Sequence, residues 1–159
     1  MLQVYDVEDK KDAYNYSREK NPYYQGGEKY CDPKAVENVI DYIAKEAKTK
    51  GYYGGYLCSN DPNEAINDFW EVKEQYDECN GKKLRHLIVD FGKRVGRDEA
   101  LDYARKLAET YMPEYQSFFG VHYEHQRTHL HFAVNTIGCT SGERLKCSKE
   151  IVNLINSQV

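Results

Sequence analysis

Apolar side chains recur every three to four residues in four stretches of the chain, the spacing that places them on one face of an α-helix. Capping signals mark three of the helix starts, because Asp or Ser favours the N-cap and Pro the first helical position. These signals are Asp32-Pro33, Asp61-Pro62 with Glu64 as a capping-box partner, and Ser148. The pattern predicts helices over residues 32–48, 61–80 and 98–112, and from residue 148 to near the end.

Apolar and polar residues alternate in three other stretches, which predicts strands with one buried face. These are Leu84–Phe91, Tyr115–Glu124 and Thr128–Ile137, the last two joined by a short polar link that suggests a hairpin. Residues 2–7 and 51–59 are candidates for further short strands. The order of elements predicts a single α/β (α+β) domain over residues 1–159, with a central, largely antiparallel sheet flanked by helices.

Charge is unevenly distributed along the chain. The net charge of −4 argues mildly against a nucleic-acid ligand, but residues 61–78 hold seven acids and one lysine, whereas residues 82–97 are basic. A local basic face is enough to bind phosphate, so this stretch is either a DNA-contacting surface or an ordinary solvated loop and strand edge. Its basic side chains are Lys82, Lys83, Arg85, Lys93, Arg94 and Arg97.

The remaining composition indicates a cytoplasmic protein. The N-terminus is charged from residue 6 onward, unlike a secretory signal, and no apolar run is long enough to cross a bilayer. The five cysteines are odd in number and scattered without a CxxC pair, which is typical of reduced thiols.

A cluster of histidines carries the candidate chemistry. Four of the five histidines fall within residues 122–131. Strand alternation puts His129 and His131 on one face, and folding the hairpin brings His122 beside them. Three imidazoles converging on one point predict a metal site with open positions for substrate. His125 lies in the predicted link, so strand phase favours His122 over it.

Two neighbouring residues complete this prediction. Glu124 is expected to orient a ligand imidazole, or else to bind the metal directly. His86, on another strand, either lines the site or is simply packed. Histidine ligands suit manganese, zinc, cobalt or nickel, and magnesium when substrate oxygens complete the coordination shell.

The segment HYEHQRTHLHFAVN resembles the His-x-Asp…His-x-His…Asn signature of relaxases, the mobilisation nucleases of the HUH superfamily. VENVIDYIAKEAKT, residues 36–49, resembles the tyrosine motif of the MOBP-like group of Gram-positive mobile elements. LRHLIVDF and residues 140–155 resemble the strand and the Thr-Gly turn with helix of the same group. The resemblance covers about residues 32–157. Glu124 replaces the usual Asp, and residues 1–31 do not match; ending at Val159 suggests a minimal domain, since relaxases commonly carry long C-terminal regions.

The resemblance implies an HUH-endonuclease-like fold and a nucleophilic role for Tyr42, with Tyr52 and Tyr53 as the alternatives. It implies metal-dependent nicking of single-stranded DNA at a plasmid or transposon transfer origin, through a covalent 5′-phosphotyrosine. Catalytic roles are expected for Tyr42, Glu124 and His86, and metal ligation for His122, His129 and His131. Contacts with DNA are expected from Lys82, Lys83, Arg85, Arg94 and Arg97.

Three other functions fit parts of the pattern. A rolling-circle replication initiator shares the histidine pair and the tyrosine, but its tyrosine usually follows the histidines, whereas Tyr42 precedes them. A catalytically silent DNA-binding module of the same fold would need neither the histidines nor the tyrosine. A metal-dependent hydrolase of small phosphodiesters would need no basic face and would leave no protein attached to its product. For the relaxase, accessory relaxosome proteins are candidate partners and no membrane is involved.

Overall fold

The computed structural model describes residues 2–8, 29–45, 50–124 and 126–158. Within these ranges five strands form one antiparallel sheet in the order β1-β3-β5-β4-β2. The two long central strands, β4 and β5, are the predicted hairpin. The strands are β1 (Gln3–Asp6), β2 (Tyr53–Tyr56), β3 (Leu84–Asp90), β4 (Ser117–Glu124) and β5 (Arg127–Asn135).

Helices cover both faces of this sheet, as expected for an α+β fold. One face carries the first two helices and the other carries the last two. The described helices are α1 (Ala35–Ile43), α2 (Pro62–Gln75), α3 (Arg97–Tyr111) and α4 (Lys149–Gln158), and a short 3-10 helix, Lys29–Cys31, precedes α1. The predicted fold class is therefore confirmed.

Each face of the sheet has its own hydrophobic core because alternate side chains point to opposite faces. Under α1 and α2, Ile40 and Phe69 pack on Leu84 and Phe118. Under α3 and α4, Leu107 and Ile155 belong to the larger core, together with Leu87, Val89, Phe119, Val121, Leu130, Phe132 and Val134. The middle of the long strands is thus apolar on the side that carries α3 and α4, whereas on the side that carries α1 it also bears polar side chains.

The structure corrects the start and end of the first predicted helix. It begins at Ala35, and its N-cap is Lys34, which makes no side-chain capping bond. Asp32 instead turns the chain ahead of the helix, since its Oδ1 accepts from the Lys34 amide at 2.8 Å. The helix ends at Ile43 rather than near residue 48, with Ala44 following it; residues 46–49 lie outside the described part of the chain.

The second helix begins as predicted, with Asp61 at its N-cap and Pro62 at its first position. Asp61 Oδ2 accepts from the Glu64 amide at 3.0 Å. The return bond of the expected capping box passes through Ser59, whose hydroxyl donates to Glu64 Oε2 at 2.6 Å and accepts from the Asp61 amide at 3.0 Å. Ser59 therefore joins the two halves of the cap.

The edge strand β2 depends on paired glycines. A side chain at Gly55 would lie 2.4 Å from the Ser59 carbonyl oxygen, so only glycine lets the following turn fold back on the strand. The strand pairs with β4, and Tyr53 lies opposite Gly120. The sheet is thereby extended beside the histidine-bearing hairpin.

Candidate active site

Strand register brings the histidines together on the face that carries α1. His122 of β4 lies directly opposite His129 of β5, and the neighbouring pair sets Gly120 opposite His131. On the other side of β5, Ile88 faces His131, so His86 of β3 shares the same face. Opposed residues of antiparallel strands project to one side of the sheet. All four imidazoles therefore lie under the C-terminal end of α1.

The donor atoms of His122, Glu124 and His131 all lie within 4.8 Å of one another. The two imidazoles are stacked, with ring centroids 4.2 Å apart, and both residues are buried. Two imidazole nitrogens and a carboxylate oxygen are donors that suit first-row divalent ions. The chemistry and spacing of this donor set therefore fit a divalent metal ion.

The C-terminal end of α1 fixes the orientation of His122. Its Nε2 lies 3.0 Å from the carbonyl oxygen of Ile43, and a carbonyl can only accept, so Nε2 carries the proton and donates. The last carbonyls of a helix lack partners within the helix, so Ile43 is available for this bond. In the neutral ring Nδ1 then keeps the lone pair, the form a metal ligand needs.

His129 lies beside the three-residue group rather than within it. Its Nδ1 is 3.8 Å from Glu124 Oε2, and its Nε2 is 3.4 Å from Asp90 Oδ1. Asp90 in turn contacts Arg127 at 3.3 Å. Nε2 of His129 makes no hydrogen bond among the described residues, so Asp90 is a close polar neighbour of the ring and not a hydrogen-bond partner. The carboxylates of Asp90 and Glu124 thus lie at opposite edges of the ring, and Nδ1 is the nitrogen on the Glu124 side.

Tyr42 projects from the last turn of α1 over the histidines. Its ring meets those of His131, His122 and His86 edge-on, with centroid distances of 5.6, 5.7 and 6.2 Å. Its side chain is 37% exposed, whereas the three histidines beneath it are buried. A phenol at the rim of a buried imidazole cluster is open to an incoming strand while remaining next to the donor group.

The alternative tyrosines lie farther from this cluster. Tyr53 packs on Phe118, with ring centroids 5.8 Å apart. Tyr52 lies on the opposite side of the sheet, where it contacts the core under α3. These positions favour Tyr42 as the nucleophile.

A chain of side chains leads from His131 away from the donor group. His131 Nδ1 lies 3.1 Å from His86 Nε2, and His86 Nδ1 lies 3.4 Å from the hydroxyl of Tyr30. All three residues are buried. Tyr30 belongs to the 3-10 helix, and its carbonyl accepts from the Lys83 amide at 2.7 Å, which ties this segment to the start of β3.

The predicted DNA-contacting residues at the start of β3 have partners within the protein. Lys82 pairs with Glu8 at 2.7 Å. Lys83 is buried and donates to the carbonyls of Gly81 and Cys31. Arg85, also buried, donates to the carbonyl of Lys146. These contacts favour structural roles for Lys83 and Arg85.

The other two predicted residues stack on an aromatic ring. The guanidinium carbons of Arg97 and Arg94 lie 4.0 and 4.2 Å from the ring centroid of Tyr123. Arg94 is exposed, and Tyr123 donates its hydroxyl proton to the Val95 carbonyl at 2.6 Å. Tyr123 lies between His122 and Glu124 on β4, and strand alternation points its ring to the opposite face, where it packs on the core under α3 and α4. This cationic surface of Arg94, Arg97 and Tyr123 therefore lies on the other side of the sheet from the histidine cluster.

A comparison with known protein families assigns the chain to one of them. The profile of the family described as relaxase, MobA/VirD2-like, nuclease domain, matches residues 30–157. The chain belongs to this relaxase family. It is therefore a DNA relaxase endonuclease that nicks DNA at a transfer origin, acts on single-stranded DNA, and comes from a family that generally uses a divalent metal ion. A search of curated proteins found no match.

The matched range also tests where the family resemblance was expected to begin and which alternative function was considered. It begins at residue 30, close to the expected residue 32, and favours the relaxase over the rolling-circle initiator. Residues 9–28 of the unmatched N-terminal segment, and His125, lie outside the described residues. Among the described residues, no helix combines the length and apolar character needed to cross a membrane.

Sequence reasoning missed three contributors to the site. Asp90 could have been found, because strand alternation in β3 already places it on the face of His86. The Ile43 carbonyl carries no side-chain signal. Tyr30 lies in a segment whose sequence indicates only a loop, and its contact with His86 depends on the path of the chain over 56 residues.

Proposed function

We propose that this relaxase nicks single-stranded DNA by transesterification, with Tyr42 as the nucleophile. The Tyr42 oxygen attacks the scissile phosphorus, a bond forms between them, and the bond from phosphorus to the 3′ oxygen breaks. The phenol loses its proton and the leaving 3′ oxygen gains one. The products are a 5′-phosphotyrosine and a free 3′-hydroxyl, and the phosphodiester energy is kept for later religation. The observation that supports this is the Tyr42 ring lying edge-on over three histidines.

The proposed metal ligands are His122, His129 and His131, with Glu124 as an additional carboxylate at the site. The spacing of His122, Glu124 and His131 supports this, as does the position of His129 Nδ1, 3.8 Å from Glu124 Oε2. Manganese or magnesium is the proposed ion. When bound, such an ion supplies Lewis-acid stabilisation of charge on the phosphate oxygens.

The end of α1 positions Tyr42 relative to the histidines. Ile43 and Tyr42 are adjacent on α1, so the helix end that holds His122 also fixes where the phenol lies. A role for His86 in taking the phenolic proton stays a prediction from sequence, and its contacts with His131 and Tyr30 favour another role, developed below.

The DNA strand is proposed to extend from Tyr42 to the surface of Arg94, Arg97 and Tyr123 on the other side of the sheet. Guanidinium groups bind backbone phosphates, and a tyrosine ring offers a stacking surface for a base. Lys82, Lys83 and Arg85 were also predicted to contact DNA; of these, Lys82 is the most exposed, with 30% of its side chain accessible.

The decisive experiment incubates the protein with manganese and a labelled single-stranded oligonucleotide that carries a candidate transfer origin, followed by denaturing electrophoresis. We expect a band shifted by the mass of the protein, lost to background in Tyr42→Phe because phenylalanine has no attacking oxygen. Tyr56→Phe is the matched control, since it removes a tyrosine hydroxyl that donates to the Pro113 carbonyl on the other side of the sheet.

Three results would contradict the proposal. An adduct that persists in Tyr42→Phe would move the nucleophile to Tyr52 or Tyr53. Cleavage without any protein–DNA adduct would indicate a hydrolytic metal enzyme. No cleavage of any origin sequence, together with retained DNA binding, would indicate a catalytically silent module.

A further inference from the structure

We propose that His86 and Tyr30 are positioning residues that fix which nitrogen of His131 faces the metal. This inference rests on the proposed metal site and extends it beyond the ligands. It starts from one distance, the 3.1 Å between His131 Nδ1 and His86 Nε2. At that separation one nitrogen donates and the other accepts, so the tautomer of one ring determines the tautomer of the other.

The direction of the bond follows from metal binding. Because His86 occupies Nδ1 of His131, the nitrogen left for a metal is Nε2. A ligating nitrogen must carry a lone pair, so in neutral His131 the proton lies on Nδ1 and is donated to His86. His86 Nε2 then accepts, and neutral His86 carries its own proton on Nδ1.

Tyr30 continues the chain. The hydroxyl oxygen of Tyr30 lies 3.4 Å from His86 Nδ1, and in this direction it accepts the His86 proton. The rings of Tyr30 and His86 also pack edge-on, with centroids 6.4 Å apart. Ligand histidines in metalloproteins are usually held this way by a carboxylate or a backbone carbonyl. Here an imidazole and a phenol occupy that place for His131.

The burial of the chain makes the arrangement effective. Tyr30 is 1%, His131 4% and His86 7% exposed, so water competes little for these bonds. The other two proposed ligand histidines have different neighbours: His122 Nε2 donates to the Ile43 carbonyl, and His129 Nε2 lies 3.4 Å from Asp90 Oδ1. The neighbour of His131 is His86 on β3, which Tyr30 contacts from the 3-10 helix ahead of α1.

The test is manganese affinity, measured by calorimetric titration of the whole chain without DNA. We expect His86→Ala to weaken binding about 10- to 100-fold, the usual effect of removing a group that orients a ligand. His86→Gln should recover much of the loss, because the glutamine oxygen can accept from His131 Nδ1. Tyr30→Phe should weaken binding by a smaller factor, and Tyr56→Phe should leave it unchanged.

A spectroscopic readout separates positioning from packing. Nitrogen-15 NMR of the zinc-loaded protein should show His131 protonated at Nδ1, and His86→Ala should lose or broaden that signal while His86→Gln retains it. Unchanged manganese affinity in folded His86→Ala would overturn the proposal. Equal losses in His86→Ala and His86→Gln, with native thermal unfolding, would also overturn it, because packing alone would then explain the effect.

The readouts also distinguish this inference from the proposed function. If His86→Ala does not fold, His86→Gln and Tyr30→Phe decide the question by the same titration. Absence of a Tyr42–DNA adduct with an intact His86 effect on manganese would remove the proposed nucleophile and leave the positioning chain standing. A Tyr42–DNA adduct in the absence of any His86 effect on manganese affinity would support Tyr42 as the nucleophile and overturn the positioning role of His86.

Discussion

At the scale of single residues, the site depends on which ring nitrogen or oxygen faces the donor group. One ring nitrogen of each proposed ligand lies near a neighbouring group, the Ile43 carbonyl at His122, Asp90 at His129 and His86 at His131, so the other nitrogen is the candidate metal ligand. Glu124 is the one carboxylate in the candidate metal-binding group of the described residues. It gives that group its negative charge, from a side chain that is 36% accessible to solvent.

Glu124→Gln tests this role. The substitution keeps the shape of the side chain but removes the negative charge and the strongest oxygen donor, so we expect manganese affinity to fall by at least about 10-fold, comparable to the loss of a group that orients a ligand. Glu109→Gln, on the exposed face of α3, is the matched control for net charge. Equal affinity of Glu124→Gln and the unmodified protein in calorimetric titration would exclude Glu124 from the site.

At the scale of elements, a buried lysine joins α2 to the ends of β3 and β5. Lys73 Nζ donates to Asn135 Oδ1 at 2.6 Å, to the Lys83 carbonyl at 2.7 Å and to Thr136 Oγ1 at 3.4 Å. Burial, and to a lesser extent the nearby positive charges of Arg144 and Lys83, lower the pKa of Lys73 from 10.5 to about 7. The lysine therefore positions Asn135, the last residue of the motif, without a carboxylate partner.

The pH dependence of stability tests this account. Below about pH 7 Lys73 is charged in both states, and folding bears the full cost of burying the charge. Between pH 7 and 10.5 only the unfolded chain binds the extra proton, so that cost declines as pH rises. We expect the stability difference between the unmodified protein and Lys73→Met, from urea unfolding, to grow in favour of the lysine between pH 6.5 and 9. A difference that shrinks over this range would show that the folded protein favours the charged form.

At the scale of the whole molecule, an acidic chain must present a local basic surface to bind DNA. Arg94 and Arg97 stack on Tyr123 on the side of the sheet that carries α3, whereas Lys83 and Arg85 are buried against backbone carbonyls. The net charge of −4 repels DNA at long range, so binding depends on these few contacts and should be sensitive to salt.

Arg94→Gln and Arg97→Gln test the path of the strand. Each should weaken binding of a single-stranded oligonucleotide and lower the slope of log affinity against log salt by about 0.7, the value for one phosphate contact on a single strand. Lys106→Gln is the control, because Lys106 is an exposed α3 residue that faces Asp102. Salt slopes that match those of the unmodified protein would place the strand elsewhere on the molecule.

The sequence by itself determined the elements and the shared face of the histidines. Alternation in β3 and β5 and helical spacing in α1 are local properties of the chain, so they were readable without a structure. The strands, the fold class and the family agree with that reading, while helix α1 ends at Ile43 rather than near residue 48. Strand phase also predicted His122 beside the pair His129 and His131; in the structure the His122 ring stacks on that of His131, and His129 lies next to this group.

Only the tertiary structure decided how those residues are held. Strand register sets Asp90 opposite His129, the end of α1 brings Ile43 to His122, and the path of the chain brings Tyr30 to His86. It also buries Lys83 and Arg85, which on charge alone were equal to Arg94 and Arg97. The three contacts made by Asp90, Ile43 and Tyr30 join residues 39 to 79 positions apart, so no local pattern in the sequence encodes them.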